Sequence, residues 1–355
     1  MPADSLHGYL NQQGAQFGDV AGERVAQKYG DTNTEYRALR ESVVLVDLSF
    51  RGCLAVLGDD RVEFINGQVT NEVAGLKPGQ GCYAALVNAK ARMQADLHVY
   101  RLDDELILDF EPGLLDAVTQ RLESHIVADQ VELVDASPHF GLLSLQGPKT
   151  ADTLKVLGLA LPGEPFAHTK TTLDDLGEVY LMNNGRYGTT GCDLYIPTAS
   201  LAKAAVRLAN GIEGQGGCLA GWQATEIARV EAGIPRFGID MDGNTLPPEA
   251  GLEKRAISYT KGCYIGQEII ARIRTYGRVN RTLVGYCLDA DLATGTQLDD
   301  DSGKTVGTLT SVIDSPRFGP IALGLAKRGS ESPGQVLTAR EPVQGQATVA
   351  EIPFR

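Results

Sequence analysis

The sequence predicts an α+β fold with largely antiparallel sheets and a small β-barrel near its C-terminal end. Short apolar or alternating runs bounded by Gly, Asp or Pro indicate strands at residues 54–57 and 142–145. Apolar residues three and four positions apart indicate an amphipathic helix at residues 114–126. These strand and helix patterns do not alternate regularly, as they would in a doubly wound parallel sheet.

Further elements follow from the same signals. Residues 59–65 begin a helix after Gly58, because acidic residues crowd its first turn. After residue 276, short strand patterns are separated by turns rich in Gly, Asp and Pro, which is typical of a small barrel or sandwich. We therefore expect a body of two interleaved α+β subdomains at residues 1–277 and a barrel domain at residues 278–355. The other predicted elements are strands at 97–101, 105–110, 284–290, 306–313 and 321–326, and helices at 201–208 and 224–231.

Composition limits the classes of function. The chain has 355 residues, 43% of them hydrophobic and 22% charged, which is enough for two or three packed domains. Its formal net charge of −13 argues against nonspecific binding to nucleic acid or to an anionic membrane. We therefore expect no nucleic-acid partner and no membrane association.

The N-terminal residues and the cysteines indicate a cytoplasmic protein. The first residues have neither a basic region nor an apolar region of a secretory signal, and no apolar run approaches the roughly 18 residues of a membrane span. The cysteines are scattered without a CxxC pair, which predicts reduced thiols and argues against a protein-only metal site. They are Cys53, Cys82, Cys192, Cys218, Cys263 and Cys287.

Residues 260–268 read TKGCYIGQE and contain a candidate reactive thiol, Cys263. We expect this cysteine at the entry to a helix, where unpaired backbone N–H groups and the cation of Lys261 would favour the thiolate. Gly262 and Gly266 permit close approach of a ligand or unusual backbone angles. The alternative is a small buried residue in a connecting turn, and the residues alone support both interpretations about equally.

Two aspartates are candidate ligand-binding residues. We expect Asp96 at the start of an alternating strand, where it could hold a ligand amine or act as an acid or base. Taken alone, the residues favour a solvated turn aspartate there. Asp193 stands beside Leu194, Tyr195 and Ile196, a setting suited to the amino-pyrimidine edge of a pterin or guanine. A strand-edge acid facing solvent is equally consistent with that pattern.

Two further patterns involve arginines. Glu226 and Arg229 lie three residues apart on a predicted helix, where a solvated ion pair is the simplest interpretation. A basic run then offers a local pocket for an anionic ligand in spite of the negative net charge. Its members are Arg272, Arg274, Arg278 and Arg281.

Taken together, several stretches resemble the glycine-cleavage T-protein (aminomethyltransferase) superfamily, and specifically its folate-binding YgfZ-type branch. The similar stretches are GAQFGDVAGERVAQKYGD at 14–31, RVEAGIPRFGIDMDGNTLPPEAGL at 229–252 and SVIDSPRFGPIALGLAKR at 311–328. KGCYIGQE at 261–268 resembles the K-G-C-Y-x-G-Q-E hallmark of the branch. The resemblance covers essentially the whole chain. It implies three domains arranged around a central hole that holds tetrahydrofolate.

The resemblance also implies roles for individual residues. Tyr83 falls at a folate-contacting tyrosine, Asp96 at the key catalytic aspartate, and Asp193 at a pterin-binding glutamate of the aminomethyltransferases. The expected cofactor-binding residues are therefore Tyr83, Asp96, Asp193, Tyr187 and Arg229. The expected catalytic residues are Cys263, Asp96 and Lys261.

Some positions depart from the aminomethyltransferase pattern. Residues 224–231 read ATEIARVE where those enzymes resemble A-R-D-x-x-R-x-E, so Thr225 replaces an arginine. Ala91 and Arg92 stand where they carry two glycines, and Ala95 and Asp96 where they carry two acids. Cys263 has no counterpart in them. Each departure weakens the case for glycine cleavage, whereas the retained Asp96 supports it.

We therefore expect a tetrahydrofolate-binding protein that acts in the assembly or repair of iron–sulfur clusters in client enzymes, using Cys263. The alternative is an aminomethyltransferase of the glycine cleavage type, or another folate-dependent methyl or methylene transferase. Whether the protein catalyses turnover is left open by the sequence. A monomer is the slightly favoured oligomeric state.

Overall fold

The computed structural model describes residues 5–277, 279–340 and 343–355 of the chain. Its helices match most of the predicted helix positions. Helix α2 begins where the side chain of Asp31 accepts a hydrogen bond from the backbone N–H of Thr34 at 3.0 Å. The helices are α1 (Leu6–Gln12), α2 (Thr32–Glu41), α3 (Arg61–Gln68), α4 (Leu115–Glu123), α5 (Thr150–Val156), α6 (Leu201–Glu213), α7 (Trp222–Glu231), α8 (Glu253–Ala256) and α9 (Gln267–Tyr276).

The strands are mostly short and bounded by glycine-containing turns, as the sequence indicates. They are β1 (Gln16–Val20), β2 (Glu23–Lys28), β3 (Val44–Asp47), β4 (Gly52–Leu57), β5 (Gln80–Val87), β6 (Met93–Arg101), β7 (Leu106–Phe110), β8 (Glu132–Asp135), β9 (Phe140–Gln146), β10 (His168–Leu173), β11 (Gly177–Asn183), β12 (Gly191–Pro197), β13 (Cys218–Leu219), β14 (Arg281–Leu288), β15 (Gln297–Asp299), β16 (Thr305–Ser315), β17 (Gly319–Lys327), β18 (Val336–Ala339) and β19 (Gly345–Ala350).

The described strands form sheets that are mainly antiparallel. Strands β1 and β2 form a hairpin, and a six-stranded sheet has the order β10-β11-β12-β9-β3-β13. A five-stranded sheet has the order β5-β6-β7-β4-β8, and β14-β17-β16-β15-β18-β19 close into a barrel. The predicted α+β class and the C-terminal β-barrel are therefore confirmed.

The chain divides into two compact units, and neither is continuous in sequence. The first unit contains the described residues of the segments 1–66, 72–84 and 97–225. The second contains the described residues of the segments 67–71, 85–96 and 226–355. The chain therefore passes several times from one unit to the other. The predicted domain boundary falls on residue 278, which lies outside the described residues.

The core of the first unit lies between the six-stranded sheet and α6. Leu143 and Leu145 of β9 are fully buried there with Leu194 of β12, and Ala204 and Leu208 of α6 cover them. Burying each leucine stabilises the fold by roughly 1.5–3 kcal/mol. Small residues on α6 allow the helix to lie close to the sheet.

The core of the barrel in the second unit surrounds Tyr286. This side chain is fully buried, and two glycines leave room for its ring. A Cβ on Gly307 would lie 3.0 Å from the Tyr286 hydroxyl, and one on Gly324 would lie 2.9 Å from its Cε2. Glycine is therefore required at both positions for the barrel to close around this tyrosine.

Some boundaries differ from those predicted. Strand β6 begins at Met93, so Asp96 lies inside the strand and not at its start. Helix α4 spans Leu115–Glu123 and is therefore shorter at both ends than the predicted residues 114–126. Helix α6 continues to Glu213, beyond the predicted residues 201–208. The helices of the described ranges are too short or too polar to span a bilayer.

Candidate active site

A buried carboxylate, Asp109, is the centre of a charged network in the first unit. It lies in β7, whose other residues are apolar, and it is 1% exposed. The antiparallel register places it directly opposite His98 of β6 on one side and Cys53 of β4 on the other. Because an ionised carboxylate is costly to bury without partners, its neighbours determine its charge.

Two arginines and a histidine surround this carboxylate. Arg51 Nε donates to Oδ1 at 2.7 Å, Arg186 Nη2 donates to Oδ2 at 2.7 Å, and His98 Nδ1 lies 2.9 Å from Oδ2. Burial alone would raise the pKa of Asp109, but the guanidinium groups of Arg186 and Arg51 and the hydrogen bond from His98 hold it well below its ordinary value. Asp109 is therefore an anion.

Asp193 is held in the same network by Arg186. It lies in β12 opposite Ser144 of β9 and is fully buried. One carboxylate oxygen accepts from Ser144 Oγ at 2.7 Å, and the other accepts from Asn184 Nδ2 and Arg186 Nε, both at 2.9 Å. Asp193 is therefore not a strand-edge acid facing solvent. Both of its oxygens already accept hydrogen bonds from protein groups.

Arg186 connects the five-stranded sheet to the six-stranded sheet. Its guanidinium contacts Asp109 at 2.7 Å and Asp193 at 2.8 Å. Burial would lower the pKa of Arg186, but these two carboxylates raise it well above its ordinary value. The residue that follows it, Tyr187, is buried in the same turn between β11 and β12.

His98 is partly exposed, with 13% of its side chain accessible. Burial lowers the pKa of His98, and the nearby Arg186 and Arg51 lower it further, although Asp109 opposes them. The imidazole is therefore neutral near pH 7. Because the anionic Asp109 accepts from Nδ1–H, the lone pair of the ring is on Nε2.

Aromatic rings surround His98. Its ring centroid lies 5.2 Å from that of Tyr83, 5.6 Å from that of Phe166 and 6.4 Å from that of Tyr100. The planes of the His98 and Tyr100 rings are nearly parallel, with an angle of 14° between them. We call Tyr83, His98, Tyr100 and Phe166 the aromatic group. Rings at these distances attract one another. Tyr83 and Tyr100 are buried, whereas His98 and Phe166 are partly exposed.

The segment that carries Phe166 is fixed in an unusual conformation. Phe166 has φ +63°, a left-handed value that a bulky residue rarely adopts. Its backbone N–H donates to the carbonyl of Asn183 at 2.8 Å. A Cβ on Gly81 would lie 2.9 Å from the Phe166 carbonyl oxygen, so glycine permits this close approach. Backbone strain of this kind occurs most often at functional sites.

Asp96 belongs to the second unit, in the part of β6 that precedes His98 by two residues. It is 9% exposed and therefore buried, which contradicts the alternative of a solvated turn aspartate. The nearby turn at residues 88–92 is fixed by the side chain of Asn88, whose Oδ1 accepts from the N–H groups of Lys90 at 2.9 Å and Arg92 at 3.1 Å.

The loop that contains Cys263 is held on both sides in the second unit. Lys261 is 6% exposed, and its Nζ donates to the carbonyl oxygens of Val69 at 2.9 Å and Asn71 at 2.6 Å. Tyr264 packs in an apolar cluster with Ala91 and other residues. The ammonium of Lys261 is therefore part of the contacts that hold this loop.

Cys263 is exposed and lies four residues before the first residue of α9. The helix instead begins after Gly266, which has φ +83°. A Cβ there would lie 2.8 Å from the carbonyl oxygen of Asn88, so the turn requires glycine for two reasons. The prediction that Cys263 stands at the helix entry is wrong, because this glycine turn separates it from α9. The alternative of a buried turn residue is also wrong, because Cys263 is exposed.

The predicted pair of Glu226 and Arg229 forms, but it is not solvated. Arg229 is 2% exposed and donates twice to Glu226, at 2.9 and 2.8 Å. It also donates to Asp240 at 2.6 Å and to Ser311 Oγ at 2.8 Å. Burial would lower the pKa of Arg229, but Glu226 and Asp240 raise it. Arg229 is therefore an internal cross-link of the second unit.

The predicted basic run has several different partners. Arg274 lies 3.9 Å above the ring of Tyr259, and Arg281 Nε contacts Glu249 at 3.2 Å. Arg278 lies outside the described residues. A common anion pocket formed by this run stays a prediction.

The structure thus brings Tyr83 and Asp193 to the two ends of one chain of contacts, through His98, Asp109 and Arg186. Sequence reasoning missed the three residues in the middle of this chain. Asp109 stands alone among apolar residues in LILDF, and that pattern of an acid inside a buried strand was the signal available. Nothing in the sequence indicates which cations neutralise it, because Arg51 and Arg186 come from distant turns.

Comparison with known proteins identifies the family to which this fold belongs. The family profile described as the GCVT N-terminal domain matches residues 6–261. The chain therefore belongs to this family, that of the glycine-cleavage T-protein and the aminomethyltransferases. The YgfZ-type branch and its hallmark motif stay a prediction.

Individual relatives cover nearly the whole chain. An aminomethyltransferase of Thermotoga neapolitana is 30% identical over 322 residues, which are 89% of this chain and 87% of the relative. A chloroplastic protein of Arabidopsis thaliana that carries the name of a transferase is 29% identical over 98% of this chain and 79% of its own length. The solved structure of glycine cleavage system aminomethyltransferase T from Bartonella henselae matches with a TM-score of 0.88 at 26% identity, covering 99% and 97% of the two chains.

Proposed function

We propose that this protein binds tetrahydrofolate and transfers a one-carbon unit between the folate and an amine-bearing donor, as an aminomethyltransferase does. The observation that carries this proposal is the likeness to the Bartonella henselae aminomethyltransferase over 99% of this chain. Because the match includes nearly all of both chains, it is not limited to one recurrent subdomain. The names of the relatives favour this function over iron–sulfur cluster maintenance.

Two of the predicted site residues have environments that suit this function. Asp96 is a buried carboxylate inside a strand, a setting in which a side chain can hold an amine or move a proton. Tyr83 belongs to the aromatic group, whose partly exposed members, His98 and Phe166, suit contact with a planar ring such as a pterin. A reduced folate would supply the nitrogen atoms that carry the one-carbon unit.

Other predicted folate-binding residues fit less well as direct ligands. Asp193 is fully buried, and both of its oxygens accept hydrogen bonds from Ser144, Asn184 and Arg186. Because the side chain is 0% exposed, a ligand could reach this carboxylate only if the surrounding residues moved. Arg229 is similarly enclosed by internal partners. We therefore assign folate contact to Tyr83 and Asp96, and an internal structural role to Asp193 and Arg229.

The test combines binding and turnover. Tetrahydrofolate binding is measured by calorimetry, and methylene transfer is measured with an aminomethylated lipoyl carrier protein as donor. We expect the Asp96→Asn variant to bind folate with little change while its rate falls by about a hundredfold or more, because an isosteric amide cannot exchange a proton. A wild-type protein that binds no folate, or an Asp96→Asn variant with an unchanged rate, would overturn the proposal.

A second candidate function rests on Cys263. This cysteine is exposed on a loop that contacts on both sides hold in place, so the thiol is presented at a fixed position. A cysteine side chain in this position could serve as a ligand for an iron–sulfur client protein. The test uses cells that lack their own protein of this type and in which the activity of an iron–sulfur enzyme has fallen.

The matched control for that test is Cys287, which is also exposed. Rescue by the wild type and by Cys287→Ala, but not by Cys263→Ala, would support cluster maintenance through this thiol. Equal rescue by all three would keep the pathway and make Cys263 dispensable. Failure of the wild type to rescue would exclude this second function.

A further inference from the structure

His98 has the geometry of a histidine that is prepared to accept a hydrogen bond. Nδ1 lies 2.9 Å from Oδ2 of the buried Asp109, and the cross-strand register places the two residues directly opposite each other. A carboxylate in this position fixes both the ring orientation and the tautomer. The unprotonated nitrogen is therefore Nε2.

The other edge of this ring is available to a ligand. The side chain is 13% exposed, and within the part of the chain that the structure describes Nε2 has no hydrogen-bond partner and is not a buried atom. Of the carboxylates in the same network, Asp109 and Asp193 are 1% and 0% exposed, whereas Glu111, which pairs with Arg51 at 2.6 Å, is 14% exposed. The accessible neutral acceptor of this network is thus the imidazole nitrogen of His98.

The surroundings of this nitrogen favour a planar ligand. Tyr83 and Phe166 lie 5.2 and 5.6 Å from the His98 ring, centroid to centroid. The backbone of Phe166, beside the His98 ring, has a left-handed conformation that a bulky residue rarely adopts. Proteins retain such a conformation where the position of a side chain is needed.

We propose that His98 is a ligand-binding residue whose Nε2 accepts a hydrogen bond from an N–H group of a planar heterocycle bound beside Tyr83. The inference rests on the proposed function, in which that heterocycle is the reduced pterin of tetrahydrofolate. Asp109 is the positioning residue, since it acts through His98. Arg51 and Arg186 keep Asp109 ionised and so keep the ring in this tautomer.

The proposal makes binding dependent on pH in a defined direction. Protonation of Nε2 removes the acceptor, so affinity falls as the pH decreases through the pKa of His98, and bound ligand lowers that pKa further. Burial already places this pKa below the ordinary value. Within the described ranges, the ionisable groups that the structure places around the ring include Asp109, Arg51, Arg186, Tyr83 and Tyr100.

The first measurement is the affinity for tetrahydrofolate between pH 5 and 8, determined by calorimetry with the full-length protein. We expect His98→Leu to bind about ten to a hundred times more weakly at pH 7.5, because an N–H donor loses its partner on binding. The same variant should lose most of the pH dependence. His139→Leu is the matched control, because this histidine is exposed, and it should bind as the wild type does.

A second variant and a second readout keep the inference testable if leucine disturbs the packing. His98→Gln retains a hydrogen-bonding side chain and should bind with intermediate affinity and without the pH dependence. The imidazole C–H resonance that disappears in His98→Gln should titrate in the wild type with a pKa below the ordinary value, and folate should lower that pKa further. Unchanged affinity in both His98 variants, or a His98 titration that folate leaves unaltered, would overturn the role of His98 alone. A wild type that binds no folate would overturn the proposed function as well.

Discussion

Arg186 and Asp109 form a fully enclosed ion pair, with 2.7 Å between Nη2 and Oδ2 and side chains that are 7% and 1% exposed. The same guanidinium contacts Asp193, so a single arginine neutralises carboxylates from two sheets of the first unit. Removal of this residue would leave two buried anions with fewer partners. The pair therefore links the stability of this unit to the charge of its candidate site.

The first prediction concerns that ion pair. Arg186→Met should lower the free energy of unfolding by about 3–5 kcal/mol, because a buried charge that loses its partner is strongly destabilising. The matched control is Arg207→Met, since Arg207 contacts Asp175 at the same kind of distance, 2.8 Å, but with both side chains about one-third exposed. That change should cost at most about 1 kcal/mol. Urea unfolding measures both, and equal losses would contradict the prediction.

The second prediction concerns acid stability. Burial lowers the pKa of His98 and of His168, so each is neutral when folded and takes up a proton more readily when unfolded. The unfolded state then binds more protons, and the free energy of unfolding should decrease as the pH falls below about 6.5. A further decrease should follow below about pH 4, where Asp109 of the unfolded chain becomes protonated while the folded chain resists it.

The histidine contribution can be separated from the rest. In a variant that combines His98→Gln and His168→Gln, the slope of unfolding free energy against pH between 7 and 5 should be smaller than in the wild type. The comparison uses slopes, so a constant loss of stability in the variant does not affect it. An unchanged slope would show that these two histidines do not titrate differently in the folded and unfolded states.

The third prediction compares two glycines in the Cys263 loop. Gly266→Ala should destabilise the protein by about 2 kcal/mol or more, because it adds a Cβ at φ +83° and at 2.8 Å from the Asn88 carbonyl oxygen. Gly262→Ala should change stability by less than about 0.5 kcal/mol, since a Cβ at Gly262 meets nothing within 4 Å. Thermal unfolding of the two variants and the wild type measures both changes in stability. A larger effect at Gly262 would be incompatible with the loop conformation described.

The fourth prediction concerns Lys261, whose ammonium donates to the carbonyl oxygens of Val69 and Asn71. Lys261→Met should destabilise the protein by about 2–4 kcal/mol, because two charge-assisted hydrogen bonds disappear and leave carbonyl groups behind. Amide hydrogen exchange should accelerate at residues 261–266 in particular. Lys90→Met, a change at an exposed lysine, is the control and should leave exchange in that loop as it is.

The fifth prediction concerns thiol reactivity in the folded protein. Of the six cysteines, all of which lie in the described part of the chain, Cys263 and Cys287 are exposed. Iodoacetamide under native conditions should modify Cys263 first and Cys287 more slowly, because burial raises the pKa of the Cys287 thiol. Cys192 should stay unmodified, since burial raises its pKa much further. Peptide mapping by mass spectrometry gives the order, and early modification of Cys192 would contradict the fold.

The sequence predicts the fold well where a local pattern determines the local structure. Strands such as β9, helices such as α6 and the C-terminal barrel follow from period, length and turn residues. The start of β6 was missed, because Gln94 and Asp96 interrupt an apolar pattern that the tertiary structure nevertheless buries. The sequence predicts Cys263 at the entry to a helix, but the left-handed Gly266 comes after it, and the helix begins only at Gln267.

The candidate site was less predictable, because its contacts join distant parts of the chain. Tyr83 and Asp193 were identified from a resemblance to a family, and the network between them depends on Arg51 and Arg186 meeting Asp109. No local pattern shows that an arginine in a turn will be buried. His98 was also missed, since a single histidine in a strand becomes distinctive only when the register puts it opposite a carboxylate.

The discontinuous units have a consequence for synthesis of the protein. The segments 67–71 and 85–96 leave the ribosome early, yet the rest of their unit begins only at residue 226. More than a hundred residues must be translated before these segments can find their partners, which at ~5–20 residues per second takes several seconds or more. During that interval the apolar strand ends that they carry have no native cover. A chaperone that binds such segments on the nascent chain would therefore be expected to improve the yield of this protein more than one that acts after release.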